Sequence, residues 1–547
     1  MEPWHRLLHT QLVTIFCIGD GAMNLQTEAR ESLRKAKHFV LDGGEQILAG
    51  RVDEEHGVSA SPGATALACL SLLALGRSYE SAYRRGAHWL WKHRQPDGWG
   101  KYEGDKPDEE ITKLARTVLQ GSQGGLLAKL VLLAQARQFS GMILSLGQRV
   151  VPGLKGPTPE EIALPRILEE RVLAKLPVYG RPVVVAASLL AAQDNQKGIT
   201  EGLNYLSLQQ MADGSWAEDI VATGMGILAL LRFGTHREKA DQAGRWLVQK
   251  QYSNGSWPAF DQLYTWAVGW AVNVFSEANL SGSEDEWVKR ALVWLKEGQN
   301  LDGSYGTTPP CTHPDIDDTA VALSQVQENQ LTVQLLRSLQ NEDGSWGTFP
   351  SFKGVPPNIQ CELPVYIPSA DVTVHVLEAL WHQDSRVQEQ AIWRGLNWLL
   401  AQQGEQGDFP AAWFEGRVYT TAQVLELLSK WKFSWEQWRS ARQIYLARRK
   451  SLDFLLAAQR EDGGWGCPVE SALTLAALWC YQKRVQPEVF ERGIKYLLEQ
   501  QRENGSFKAA YRGVYAKGWN YEEPISTALT AIRALDRYLR LNSSRDR

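Results

Sequence analysis

The chain has 547 residues, 44% hydrophobic and 22% charged, a globular composition that excludes a disordered protein. A net charge of −4, from 58 basic and 62 acidic residues, gives no electrostatic footprint for nucleic acid. Six cysteines (Cys17, Cys69, Cys311, Cys361, Cys467 and Cys480) are too scattered for a CxxC metal site and too sparse for a disulfide framework, so a reducing cytoplasm is expected.

In chain order, the first apolar run is Leu12 to Ile18. It lacks a strong basic flank and a small-residue cleavage site, so it reads as a buried first helix. No run of 18 apolar residues occurs, and a spanning helix is not expected. Two segments leave peripheral, monotopic attachment open: Gly124 to Leu146, rich in Leu, Ile and Met, and the amphipathic stretch from Ile162 to Val178. Core-facing helices are the competing reading of both.

A repeat then organises the chain. Gln-x-x-x-Gly-x-aromatic occurs as Gln210/Gly214/Trp216, Gln251/Gly255/Trp257, Gln299/Gly303/Tyr305 and Gln340/Gly344/Trp346. It continues as Gln403/Gly407/Phe409, Gln459/Gly463/Trp465 and Gln501/Gly505/Phe507, with a shortened copy at Gln95, Gly98 and Trp99. Copies lie about 40 to 60 residues apart, each between apolar-periodic stretches. Asp-Gly or Asn-Gly inside the motif is a turn signal, and the Gln before it ends a helix, where its amide reaches an orphan carbonyl or the ring. The aromatic pins the loop. Strand-like alternation is almost absent, so an all-α chain of helix, pinned turn and helix is expected, closed into barrels or stacked as a solenoid. The turns also account for part of an unusual content of 22 Trp.

These turns resemble the QW motifs of the squalene-hopene cyclase and class II terpene cyclase superfamily, over nearly the whole length. The resemblance implies two α/α-barrel domains, one inserted after the first helix of the other. Residues 1–50 then supply a helix to the catalytic barrel, 51–280 form the inserted barrel, and 281–547 complete the catalytic one. The chain is short for a triterpene cyclase.

The sharpest chemical motif is His313-Pro314-Asp315-Ile316-Asp317-Asp318-Thr319-Ala320. Taken alone it reads as an acidic first helical turn, or as an Asp-rich cation site, though its spacing suits a metal less well than DDxxD. The resemblance matches it to the proton-donor motif Asp-x-Asp-Asp-Thr-Ala and implies that Asp317 protonates a terminal alkene or epoxide. Crowding by Asp315 and Asp318 helps keep one carboxyl protonated. The segment Pro368 to Leu380 is similar to the one that supplies the acid's partner: His375 is expected to bond Asp317, and Asp371, four residues earlier, to support His375. A satisfied core histidine is the competing reading.

By the same resemblance, Trp266, Tyr179, Trp413, Tyr419, Trp519 and Tyr521 line the cavity and stabilise cations through their π faces. Each also reads as an ordinary core aromatic. Between Tyr305 and Asp315, where the triterpene cyclases carry several Phe, this chain has Gly306, Thr307, Thr308, Pro309, Pro310, Cys311, Thr312 and His313. A shorter C15–C20 polyene is therefore expected, and squalene is the less favoured alternative.

The diphosphate-cyclising branch holds Mg²⁺ near a Ser-x-Ser-x-Tyr-Asp-Thr-Ala segment. Here Gly63 and Ala64 replace the Tyr and Asp, although Asp53, Glu54 and Glu55 lie nearby. Thr158 to Pro165 and His375 look more like the hopene-cyclase branch. The expected substrate is an apolar prenyl compound without diphosphate, such as a prenylated aromatic (a meroterpenoid precursor), and no cofactor is expected. The alternative is a copalyl- or drimenyl-type diphosphate cyclase requiring Mg²⁺. Protein prenyltransferases are also α/α barrels, but need Asp, Cys and His around zinc, and the cysteines here have no such company in sequence. A non-catalytic binder of apolar ligands is disfavoured by buried carboxylates that cost desolvation.

Overall fold

A computed structural model describes residues 3–121, 167–169, 173, 180–193, 197–258, 263–277, 283–308, 314–326, 329–349, 368–383, 389–431, 438–516 and 519–545. The first group of helices is α1 (Pro3–Leu48), α2 (Pro62–Leu75), α3 (Glu80–Lys92), α4 (Glu109–Gly121), α5 (Gly180–Ala191), α6 (Ile199–Gln209), α7 (Ile220–Arg232) and α8 (Arg237–Gln249). The second is α9 (Tyr264–Glu277), α10 (Ser283–Glu297), α11 (Ile316–Leu323), α12 (Gln330–Ser338), α13 (Ala370–His382) and α14 (Glu389–Ala401). It continues with α15 (Val418–Ser429), α16 (Trp438–Ala457), α17 (Pro468–Trp479), α18 (Pro487–Gln500) and α19 (Pro524–Arg545). A short antiparallel hairpin, β1 (Gly513–Ala516) and β2 (Trp519–Tyr521), precedes α19. Gly124 to Leu146 and nearly all of Ile162 to Val178 lie outside the described residues, and no described helix is long and apolar enough to cross a membrane.

Sequence pattern sorts the helices into two layers. Helices α2, α7 and α17 are apolar on every side and almost wholly buried. Helix α18 buries one stripe, Phe490, Gly493, Ile494, Tyr496 and Leu497, and so lies outside. In the second group α9, α11, α13, α15, α17 and α19 pack side by side, and α19 returns to α9, which closes a ring of inner helices. Each inner helix carries one outer partner: α10, α12, α14, α16, α18 and, against α19, the N-terminal helix α1. In the first group α2 packs against α4 and α7, α7 against α5, and α3, α6 and α8 cover them.

The apolar cores follow the same division. One cluster runs from Ala64 to Trp257. A second joins Ala29, Ala36, Phe39 and Val40 of α1 to Tyr264, Ala267 and Val268 of α9 and onward to Tyr538, and a third, also in the second group, gathers Ile316, Leu336, Trp346, Leu377 and Leu428. The packing changes between 258 and 264, where α9 turns its apolar side chains to α1 and α19.

The recurring turns hold the two layers in register. Each motif Gln donates from Nε2 to the carbonyl of the Gly four residues on and to a second acceptor on a neighbouring helix. Gln340 reaches Gly344 O (2.8 Å) and Ala391 O (2.9 Å). Gln459 reaches Gly463 O and Val489 O, both at 2.9 Å. The indole N–H of Trp346 donates to Leu336 O of the preceding helix at 2.7 Å, and the Trp346 amide donates to Thr373 Oγ1 of the following helix at 3.1 Å. One turn thus ties three helices. The final copy does this to the start of the chain: Gln501 donates to Ser32 O of α1 at 2.9 Å and to Gly505 O at 3.2 Å. Gly505 takes φ +94°, and a Cβ there would strike the Lys35 carbonyl.

At the C-terminal ends of the inner helices the ring is sealed by buried charge. Arg533 bonds Glu277 (2.8 Å) and Glu426 (2.7 Å), and Arg537 bonds the same two carboxylates at 2.6 and 2.8 Å. The arginines hold the Glu426 carboxyl down at about 2 against the opposing effect of burial.

Gly505→Ala is expected to lower unfolding free energy by roughly 1–3 kcal/mol, because the left-handed backbone and the Lys35 contact both resist a side chain. A urea midpoint equal to the parent's would show that α1 does not depend on this turn.

Candidate active site

Helix α11 begins where Asp315 leaves the extended backbone (φ −112°) and turns its carboxylate back as the N-cap. It accepts the amides of Asp317 at 2.7 Å and Asp318 at 3.1 Å. The Pro-Asp signal in the sequence is therefore a real helix start, and Asp315 performs it. That leaves Asp317 and Asp318 in the first turn with their side chains available.

Asp317 Oδ1 lies 2.7 Å from His375 Nδ1 on α13. The pair spans two adjacent inner helices, and His375 is buried. On the far side of the ring, Gln423 Nε2 of α15 lies 2.7 Å from His375 Nε2. With the Gln423 amide donating there, the imidazole is neutral and its Nδ1–H points at Asp317. Turned over, the same amide would accept an Nε2–H, so Gln423 can hold either charge state. Gln423 is the residue that sequence reasoning missed; a polar residue at one buried helical position in VYTTAQVLELL was the available signal.

Asp371 makes no hydrogen bond to His375, although its charge helps to raise the imidazole's value. Its Oδ2 accepts the amides of Ala412 and Trp413, both at 2.9 Å. It fixes the chain that carries Trp413 into the site, and Gln423 supplies the second hydrogen bond to the histidine. Trp413 in turn donates from Nε1 to Thr348 Oγ1.

These groups open on one cavity at the N-terminal ends of the inner helices. It leaves about 1550 Å³ free of protein atoms, its open mouth included. Trp266, Trp270, Trp413, Phe414, Tyr419 and Tyr521 give it aromatic walls. Trp266 stands edge-on to His375, centroids 5.0 Å apart, and is stacked on Trp270 at 5.7 Å. Tyr419 stacks on Phe414 at 4.3 Å. The first helical group reaches the cavity through Ala217 and Asp219, at a turn where Ala217 and Glu218 both hold φ +56°. Trp519 lies in β2, but its side chain falls outside the described residues, as does all of Tyr179.

Burial dominates the electrostatics. It raises Asp315 and Asp318 above the ordinary carboxyl range, and the neighbouring aspartates add to it. Burial also raises Asp317, against the opposing pull of His375. For His375 burial disfavours the cation, yet Asp317 outweighs it and the value rises. Asp317 and His375 thus compete for protons across one short hydrogen bond and titrate as a unit.

The candidate cation ligands are otherwise occupied. Asp53 accepts Gln46 Nε2 at 2.9 Å and meets His56 Nδ1 at 2.7 Å. Glu54 accepts Ser253 Oγ at 2.7 Å, and Glu55 accepts Asn504 Nδ2 at 3.1 Å. The loop fastens the two helical groups together, and this donor set does not fit a Mg²⁺ centre.

Residues 310–520 match the family described as Squalene-hopene cyclase C-terminal domain. The squalene–hopene cyclase of Alicyclobacillus acidocaldarius is 25% identical over 511 residues, covering 75% of this chain and 79% of that protein. A drimenyl diphosphate synthase of Streptomyces showdoensis is 22% identical over 54% of each chain, and a squalene–hopene cyclase of Zymomonas mobilis 23% identical over 44% of each. The chain thus spans about half the length of these last two relatives. Among solved structures, an ent-copalyl diphosphate synthase from Streptomyces platensis superposes with a TM-score of 0.57 at 18% identity, over 93% of this chain and 99% of that one.

Asp318 keeps a proton in the folded chain at pH values where it loses it unfolded, so its contribution to stability fades as pH rises from the ordinary carboxyl range through its raised value. Asp318→Asn, neutral throughout, is expected to lose less melting temperature than the parent between pH 4 and pH 9, read by calorimetry at both ends.

Proposed function

Because the chain belongs to the squalene-hopene cyclase-like class II terpene cyclase family, we propose that it cyclises a linear C15–C20 polyprenyl chain after protonation by Asp317. The observation that carries this reading is the 2.7 Å contact between Asp317 and His375 at the wall of an aromatic cavity. In this mechanism His375 Nδ1–H donates to Asp317 Oδ1 and orients the carboxyl. The other oxygen then gives its proton to the terminal alkene. The π electrons form the new C–H bond and leave a tertiary cation, which the next alkene attacks, ring by ring. Donation from His375 spreads the charge left on Asp317 and so strengthens the acid. Asp315 keeps the helix start in place. Trp266, Trp413, Tyr419 and Tyr521 offer π faces to that cation without offering a nucleophile. Tyr179 and Trp519 are assigned to the same lining by resemblance alone. In this reading α1 together with 264–547 is the catalytic barrel, and 51–258 the second.

The head group we favour carries no diphosphate. Seven carboxyl side chains line the cavity: Asp219, Asp315, Asp317, Asp318, Asp371, Glu522 and Glu523. Those left ionised would repel a diphosphate, and Asp53, Glu54 and Glu55 are engaged in hydrogen bonds of their own. A prenylated aromatic brings the same polyene with a neutral polar end. The second reading, a diphosphate cyclase, draws on the relative named drimenyl diphosphate synthase.

Two measurements test this. Asp317→Asn is expected to retain the parent's melting temperature and lose at least about 10³-fold in cyclisation rate, since Asn keeps the shape and has no acid proton. Parent-like turnover by that variant would refute Asp317 as the donor. Geranylgeranyl diphosphate and a geranylgeranylated hydroxybenzoate, each with Mg²⁺ or chelator, separate the head groups by mass spectrometry. The expected result is cyclisation of the aromatic whether or not chelator is present. Conversion of the diphosphate alone, abolished by chelator, would establish the second reading.

A further inference from the structure

A cyclase that adds a proton must also end its cation, and the cavity contains a carboxyl placed apart from the acid. Glu523 lies just before α19 and lines the same cavity as Asp317. Its Oε2 accepts the Ser526 amide at 2.5 Å, so the carboxylate sits at the positive end of the helix. Ser526 Oγ in turn accepts the indole N–H of Trp266 at 3.1 Å. Trp266 stands edge-on to His375, which holds Asp317. One indole therefore separates the acid from a second, independently held carboxylate, and both face the same space.

The neighbour Glu522 is used differently. Its backbone is tied to the first helical group, accepting from Ser59 N at 3.0 Å and donating to Ser59 Oγ at 3.1 Å. Behind Glu523 lies buried His56, whose ring and the Ile525 side chain both crowd Gly43 of α1. His56 contacts Asp53 at 2.7 Å and approaches the exposed Asp42 at 3.5 Å.

We propose that Glu523 is the base that ends the reaction, removing a proton from the carbon beside the final cation. The assignment rests on the cyclase reading above. In this step the C–H electron pair becomes the ring alkene, and the proton goes to a carboxylate oxygen of Glu523. One proton enters from Asp317 and one leaves to Glu523, so the conversion is an isomerisation and needs no co-reactant. Burial pushes the Glu523 carboxyl up to about 7, opposed by its bonds from Ser526, so near neutrality it exists in both forms and can take and release a proton in each cycle.

The test is Glu523→Gln, which keeps an oxygen to accept the Ser526 amide but cannot take a proton. Substrate consumption is expected to fall less than formation of the parental alkene, because Asp317 still starts the reaction. The parental alkene is expected to fall at least about tenfold relative to water-captured or isomeric products. Melting temperature and circular dichroism report whether the variant is folded, and Glu523→Asp, a shortened base, is expected to restore part of the parental alkene. An unchanged product ratio overturns the assignment. So does a rise in KM with the same ratio, which would make Glu523 a head-group ligand. A parent that cyclises no polyprenyl chain overturns the function itself, and the assignment with it.

Discussion

Everything at the candidate site hangs on a side-chain amide that bonds two acceptors at once. The motif glutamine satisfies the carbonyl of its own turn and another group on a neighbouring helix, as Gln340 does with Gly344 and Ala391. A positive-φ glycine lets the turn lie flat on that helix, and the aromatic ring then closes over the one before. Each turn therefore delivers the start of an inner helix to the same end of the ring. Asp315, Asp371 and Tyr419, near the starts of three different helices, face one cavity for that reason. The acid is positioned by turns that never touch it.

Much of this was legible in the sequence because it rests on short-range chemistry repeated many times. The turns, their glycines and the Asp315 helix start are local, and the Asp317–His375 pair was reached through resemblance. What sequence did not yield depends on relations between distant segments. Asp371 sits four residues before His375, a spacing that suggests contact along a helix. Its carboxylate instead meets two free amides near Trp413, a bond set by tertiary approach. Gln423 carries no signal of its own beyond being polar on a buried face. The β1–β2 hairpin was also missed, since two short strands give too few residues for a period to show. Which core α9 joins was not legible for a similar reason: α9 is apolar throughout, and only its partners decide where it packs.

The two ends of the inner ring have opposite electrostatic solutions. At the C-terminal end arginines and glutamates neutralise one another and seal the floor. At the N-terminal end carboxyls crowd together with few charges to oppose them, beside aromatic walls. Such a chamber holds its carboxyls largely in the protonated form until one is called on, and its aromatic walls favour a transient cation. The same crowding costs stability at high pH, so the acidity of the site and the durability of the fold draw on the same buried groups.

Helix α1 completes the inner–outer pairing of a ring whose other members begin at residue 264. Its partner α19 is the last helix of the chain, and the Gln501 turn that grips α1 lies close before it. During synthesis the helices between 62 and 249 can settle while α1 waits with its apolar face uncovered. The ring closes only after some 450 further residues have left the ribosome. The apolar face of that early helix therefore meets its lasting partner only at the end of synthesis.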